Sequence, residues 1–184
     1  MKNILIAITG ASGSIYGIRL LQELRNQDIT IHLILSSTAQ QIIPYETGKT
    51  IESVKTVADH VYENTNLFAG PASGSFPLDA MIIIPCSMKT LAAIANGYAN
   101  RLISRSASCI LKERKKLIVV PRETPFDLAC LQNMTQVYQA GGIILPANPG
   151  FYHNPKTVTD LVDFIVGKIL DQLCIQHNLF KRWK

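Results

Sequence analysis

Five apolar runs of strand length, each followed by a stretch of helical period, constrain this chain more than any other feature. The runs cover residues 3–9, 29–35, 80–85, 117–120 and 143–145. They are nearly continuous in Val, Ile and Leu rather than alternating, the pattern of strands covered on both faces. Between them, Ile18, Leu20, Leu21 and Leu24 mark one amphipathic helix, and residues 38–48 mark a second that ends at Gly48. Ser87 stands as a helix N-cap before residues 88–96. Residues 102–114 carry a stripe of Ile103, Ala107, Ile110 and Leu111, and residues 126–140 read as helix up to Gly141-Gly142. Residues 158–174 place Val158, Leu161, Val162, Ile165, Ile169 and Leu173 on one face. Strand and helix in alternation predict a doubly wound α/β domain with a central parallel sheet covered by helices. One such domain accounts for residues 1–184, with a C-terminal tail at about 176–184.

Composition narrows the class further. The 184 residues are 47% hydrophobic and 17% charged, which excludes a disordered chain. No apolar run approaches the roughly 20 residues of a membrane span, and the N-terminal segment lacks the marks of a signal peptide. Cys86, Cys109, Cys130 and Cys174 are scattered, without ligand spacing, so reduced thiols in a cytoplasmic protein are expected and a metal site is not. The net charge of +5 is concentrated: residues 112–116 and 181–184 carry +3 each, leaving −1 for the rest. Two short patches without a recognition motif argue against a nucleic-acid partner.

In a doubly wound sheet, ligands bind beyond the carboxyl ends of the strands. After the first run comes Thr-Gly-Ala-Ser-Gly-Ser-Ile-Tyr-Gly, residues 9–17. Small residues there allow a phosphate or a ring to approach the helix start; the alternative is a tight turn with no ligand. The pattern is not GxGxxG, and Ser36-Ser37 stand where a nicotinamide cofactor would need an acidic residue. After the third run, Ser87 and Thr90 offer an anion-friendly helix start, or ordinary capping. Arg122 and Glu123 lie between Pro121 and Pro125, as a phosphate ligand and a carboxylate or as a local ion pair. The last loop presents Phe151, Tyr152 and His153, suited to an apolar ligand with a polar head or to covering a hydrophobic edge. Residues 62–78 form a long loop with exposed apolar residues, the kind that serves function or a partner. The set favours a phosphate-bearing cofactor together with a second, partly apolar substrate.

Seven motifs then coincide with one family: residues 9–13, 71–75, 85–90, 111–114, 121–125, 149–153 and the Arg-Trp pair at 182–183. On these the chain resembles, end to end, the flavin prenyltransferases of the UbiX type, in the homo-oligomeric flavin-containing Cys decarboxylase superfamily. The resemblance implies a flavodoxin-like or Rossmann-like fold that binds FMN. It also implies transfer of a dimethylallyl group from dimethylallyl phosphate to N5 and C6 of reduced FMN, without a metal. The product serves UbiD-type decarboxylases, for example in ubiquinone synthesis, and the assembly is a homododecamer whose sites draw on neighbouring subunits. By the same resemblance FMN is held by Gly10, Ala11, Ser12, Ser36, Ser87, Met88, Lys89, Thr90 and Arg122. The prenyl phosphate is held by Tyr152 and Lys168, with Lys112 and Arg105 close by. Glu123 is the carboxylate for proton transfer, with Ser12, Glu46 and Lys112 assisting. Two positions depart from the family's pattern: Lys168 stands where Arg is expected, and Leu67-Phe68 where some relatives carry Trp. An FMN-dependent decarboxylase of the same superfamily would want a His on the helix after the glycine turn, and residues 14–27 contain none. A non-enzymatic flavin-binding protein would not need Glu123, Lys112 and Tyr152.

Overall fold

The computed structural model describes residues 2–183; Met1 and Lys184, which close the expected domain and the terminal basic patch, lie outside the described residues. Six parallel strands, β1 (Lys2–Ile8), β2 (Ile29–Leu35), β3 (His60–Glu63), β4 (Ala80–Cys86), β5 (Lys116–Pro121) and β6 (Ile143–Ile144), form one sheet in the order β3-β2-β1-β4-β5-β6. That is the Rossmann-type order, with the reversal of winding between β1 and β4. Helices α1 (Ser14–Arg25), α2 (Ser37–Thr47), α3 (Ile51–Lys55), α4 (Met88–Ala95), α5 (Leu102–Lys112), α6 (Leu128–Gln139) and α7 (Val158–Gln172) fill the connections.

The two-residue period of the strands sorts their side chains into two cores. Ile4, Ile6 and Ile8 of β1 join α1 and α7 on one face, while Leu5 and Ala7 join α4 and α5 on the other. Helix α1 lies so close to the sheet that a Cβ on Gly17 would fall 2.5 Å from the carbonyl oxygen of Ile84, so only glycine fits there. Arg19 ties α1 to α7 through Asp163 at 2.7 Å. At the far end of α7, the ammonium groups of Lys2 and Lys116 donate to the carbonyls of Leu173 and Gln172. Two cations on the last carbonyls of a helix match its dipole. They also fix its direction: the start of α7, with a Thr157–Asp160 capping box, points to the carboxyl ends of the strands.

All five expected strands are present. The sixth, β3, went unread because His60-Val61-Tyr62-Glu63 is a mostly exposed edge strand without an apolar run. Helix α3, five residues long, also carried too little periodicity. The loop expected at 62–78 contains the end of β3 and one helical turn at Gly70–Ala72. Val158, expected on the buried face of α7, is instead 69% exposed, because the first turn of the helix overhangs the sheet.

Beneath that loop, His32 of β2 is buried, with Nδ1 2.9 Å from the Tyr62 hydroxyl and its ring stacked on His60 at 4.8 Å. Its Nε2 has no partner among the described residues. Burial, reinforced by the neighbouring His60, lowers its pKa from 6.5 to about 4. The unfolded chain therefore binds this proton at a higher pH than the fold does, and stability declines as pH falls from about 6.5 towards 4. Between pH 7 and 4.5 the contribution is about 2 to 3 kcal/mol. Urea unfolding at the two pH values should show that loss in the native chain and a flatter dependence in His32→Gln.

Candidate active site

The strand ends are stitched to one another by hydrogen bonds, and this brings the expected loops together. The Thr9 hydroxyl donates to the carbonyl of Pro85 at 2.8 Å and accepts from the Ser87 amide at 2.8 Å, joining β1 to β4 at the reversal point. The Ser36 amide donates to Ile8, Arg122 to Cys86 and Ala147 to Pro121. The residues following β2, β1, β4, β5 and β6 thus form one continuous rim.

Within it, the glycine turn is occupied by the protein itself. Gly13 takes a positive φ of 99°, which turns the chain into α1. Glu46, reaching over from α2, accepts from the amides of Gly13 (3.0 Å) and Ser14 (2.9 Å) and from the Ser14 hydroxyl (2.7 Å). Partial burial pushes the Glu46 carboxyl up. The hydroxyls of Ser12 and Ser14 and the two amides outweigh this and hold it below the usual carboxylate range. The sequence reading left this helix start open to a phosphate; the structure gives it a carboxylate instead. Gly10 backs onto Thr38, whose side chain lies 2.6 Å from where a Cβ would sit, and Ala11 is buried. Tyr16, half-buried against Gly13, feels the charge of Arg122, which offsets part of the rise that burial gives its hydroxyl. It lies inside the glycine motif but was not singled out by the sequence.

Beside this turn is a cavity of about 340 Å³ between α4, α5 and the end of β2. Ser36, Lys89 and Thr90 line it, so three expected FMN residues share one space. Ser36 and Ser87 also cap α2 and α4, accepting from Ala39 and Thr90. Capping and ligand binding are therefore not alternatives here: the caps start the two helices at the same rim, and both dipoles favour an anion. Met88, half-buried, packs into the core below. Asn64, Tyr98, Asn100 and Arg101 complete the wall and were not read from the sequence. The Asn96–Arg101 break between two helices, with Gly97 at φ 68°, was the available signal. Asn64 also caps α5, accepting from Leu102 and Ile103.

Arg122 and Glu123 are exposed on the rim, and among the described residues they form no ion pair; Glu123 accepts only from the adjacent Thr124 amide at 3.1 Å. Cys86 is buried and its thiol is pushed far up by burial, the reverse of a reactive nucleophile. Tyr152 lines a second cavity of about 290 Å³ with Lys181, Arg182 and Trp183. Lys168 does not line that cavity; it pairs with Asp171 at 3.5 Å, the carboxylate that also holds Arg182. The remaining two expected phosphate ligands do not join them in one copy. Arg105 donates from Nε to the carbonyl of Ala72, and Lys112 pairs with Glu113 at 3.0 Å. Both stand on α5, which packs on the face of the sheet opposite α7. Lys112 closes α5 just before β5 begins at Lys116, at the amino ends of the strands.

A family model described as Flavoprotein matches residues 1–170. The flavin prenyltransferase UbiX of Methanothermobacter thermautotrophicus is 49% identical over 183 residues, covering 100% of this chain and 96% of that protein. This chain belongs to the UbiX family of flavin prenyltransferases. The UbiX relative of Salmonella typhimurium is 42% identical, over 100% of this chain and 99% of its own length. Among solved structures, AnUbiX (PadA1) in complex with FMN and dimethylallyl pyrophosphate superposes with a TM-score of 0.98 at 43% identity, covering 100% of this chain and 97% of that one. A dodecameric FMN-dependent UbiX-like decarboxylase from Escherichia coli O157:H7 gives 0.97 at 40%, with 99% of each chain covered. The peptidyl-cysteine decarboxylase EpiD, at 16% identity and a TM-score of 0.65, shares the fold alone.

In this UbiX member, the occupied helix start has a measurable consequence. Glu46→Ala leaves the Gly13 and Ser14 amides without their acceptor and should destabilise the chain by about 1 kcal/mol at neutral pH, as loss of a helix cap does. Because the carboxyl is held low, this difference from the native chain should disappear as pH falls through its folded pKa, which thermal unfolding across acidic pH would show.

Proposed function

We propose that this chain transfers a dimethylallyl group from dimethylallyl phosphate to N5 and C6 of reduced FMN. The observation that carries the reading is the joining of Ser36, Lys89 and Thr90 in one cavity beside the Arg122–Glu123 rim, in a chain of the UbiX family. Two capped helix starts, two hydroxyls and an ammonium group are a donor set that fits the phosphate of FMN. Reduced FMN, when bound, supplies the nucleophilic N5 and the C6 position at which the new ring closes.

The residues of the chain do the rest. The glycine turn at Gly10, Ala11 and Ser12, its helix start already filled by Glu46, offers the flavin ring a surface rather than an anion site. Arg122 lies beside the ring. Tyr152 and Lys168 hold the prenyl phosphate, and fixed cations stabilise the charge that grows on it as the allylic C–O bond breaks. Glu123, exposed on the rim and free of an ion pair among the described residues, accepts the proton lost from C6. Arg105 and Lys112 enter from a neighbouring copy, since within one copy they face away from α7. Exposed Phe68, Tyr98, Leu128, Tyr138 and Phe151 provide apolar surface for such an assembly, which we take to be a dodecamer. The four free cysteines suit a reducing cytoplasm, where the product would pass to a UbiD-type decarboxylase.

The test is an anaerobic mixture of the protein, FMN, a reductant and either dimethylallyl phosphate or its pyrophosphate. The flavin should gain the mass of one five-carbon unit; unchanged FMN with both donors rejects the reading. Glu123→Gln should slow transfer by about 100-fold or more while FMN still binds. A full rate in that variant would remove Glu123 from the proton transfer.

A further inference from the structure

Beyond α7 the chain turns back and lies along the helix, held at one carboxylate. Asp171, in the last turn of α7, accepts from Arg182 Nη2 at 2.6 Å and pairs with His177 Nε2 at 3.2 Å and Lys168 Nζ at 3.5 Å. Hydrogen bonds from Arg182, opposed by some burial and helped by His177, hold its carboxyl below the usual range. The same segment is anchored by rings. Phe180 packs on Phe164 at 5.0 Å and on His177 at 5.2 Å. Gly167 makes the room for this: a Cβ there would lie 2.5 Å from the Phe180 ring and 2.6 Å from the His177 ring. The chain is thereby delivered so that Trp183 meets Tyr152 edge to face at 5.2 Å. Between them opens the cavity of about 290 Å³, bounded by two aromatic rings and by Lys181 and Arg182. Aromatic walls with cations at the edge suit a short apolar group ending in a phosphate.

We infer that Asp171 is a positioning residue for the prenyl donor: it fixes the C-terminal segment through Arg182 and His177, so that Trp183 and Tyr152 together form the wall of the donor cavity. This rests on the prenyl-transfer reading above. Physically, Lys168 and Arg182 repel one another, and the Asp171 carboxylate between them lets both be held at the end of α7. Without Asp171 the segment loses its charged anchor, the wall beside Tyr152 opens, and Lys168 is left to rotate freely on a flexible stem.

Trp183 is the sole tryptophan in the sequence, so its fluorescence reports this segment directly. The FMN-loaded enzyme is compared as native chain, Asp171→Ala, Asp171→Glu and Arg182→Gln, the last being an exposed change that leaves every residue of the helix in place. Expected in Asp171→Ala and Arg182→Gln are a rise of about tenfold in KM for dimethylallyl phosphate, an unchanged Kd for FMN, and easier quenching of Trp183 by acrylamide. Asp171→Glu should recover most of the native KM. A donor KM that stays native in Arg182→Gln, or Trp183 quenching that does not change, overturns the inference. A fall in kcat and FMN affinity together, without recovery in Asp171→Glu, also overturns it, because that is the mark of a merely structural role. Should the native enzyme transfer no prenyl group, the reading of function fails and the inference with it; should the native enzyme turn over while both variants keep its KM, the inference alone fails.

Discussion

Burial of the sheet on both faces is the constraint from which the rest follows. Every side chain of β1 from Ile4 to Ile8 is fully enclosed, with alternate residues in separate cores. Such strands have little room for polar chemistry along their length, where an unpartnered group is costly; His32 of β2 is the exception, and burial lowers its pKa. What chemistry the chain has must therefore sit at strand ends, and parallel winding collects those ends along one rim. The hydroxyl of Thr9 closes the gap between the two central strands there, adding two bonds to the one its own amide makes to the Pro85 carbonyl.

The same constraint explains what could be read in advance. Continuous apolar runs announced five strands and their two-sided cover, because that pattern has few other uses in a chain of this length. β3 stayed hidden since an edge strand needs no apolar run: His60, Val61 and Glu63 are exposed, and only Tyr62 is partly covered. Of the expected site residues, Ser36, Lys89 and Thr90 share a cavity, as rim position alone would suggest. Asn64, Tyr98, Asn100 and Arg101 did not announce themselves, because a cavity wall made by a helix-to-helix break has no period to detect. Glu46 was named only by resemblance, as an auxiliary to proton transfer, and its contact with the helix start was not read; thirty-three residues separate it from Gly13, and no local pattern carries such a link. Lys112 shows the opposite limit: its motif is specific, yet in one copy it stands at the wrong end of the strands for the rim.

The basic excess is distributed in a way that composition hides. Lys2 and Lys116 lie on the last carbonyls of α7, Arg19 and Arg25 are paired with carboxylates, and Arg182 shares Asp171 with Lys168. These cations act within the fold, some to orient helices and some to hold chain segments. A smaller group, Lys89, Arg101, Arg122 and Lys181, remains at cavities or on the rim, where small phosphates are a better match than an extended polyanion.

A carboxylate at the start of α1 does more than cap a helix. A free helix start attracts any passing phosphate, and a cell offers many. By keeping its own anion there, the chain presents the glycine turn as already neutralised, so an incoming phosphate meets repulsion instead of welcome. With the α1 start occupied, the open helix starts at the glycine-turn end of the rim are those of α2 and α4, which share one cavity, and the chain thereby chooses by exclusion which end of a nucleotide-like molecule enters where.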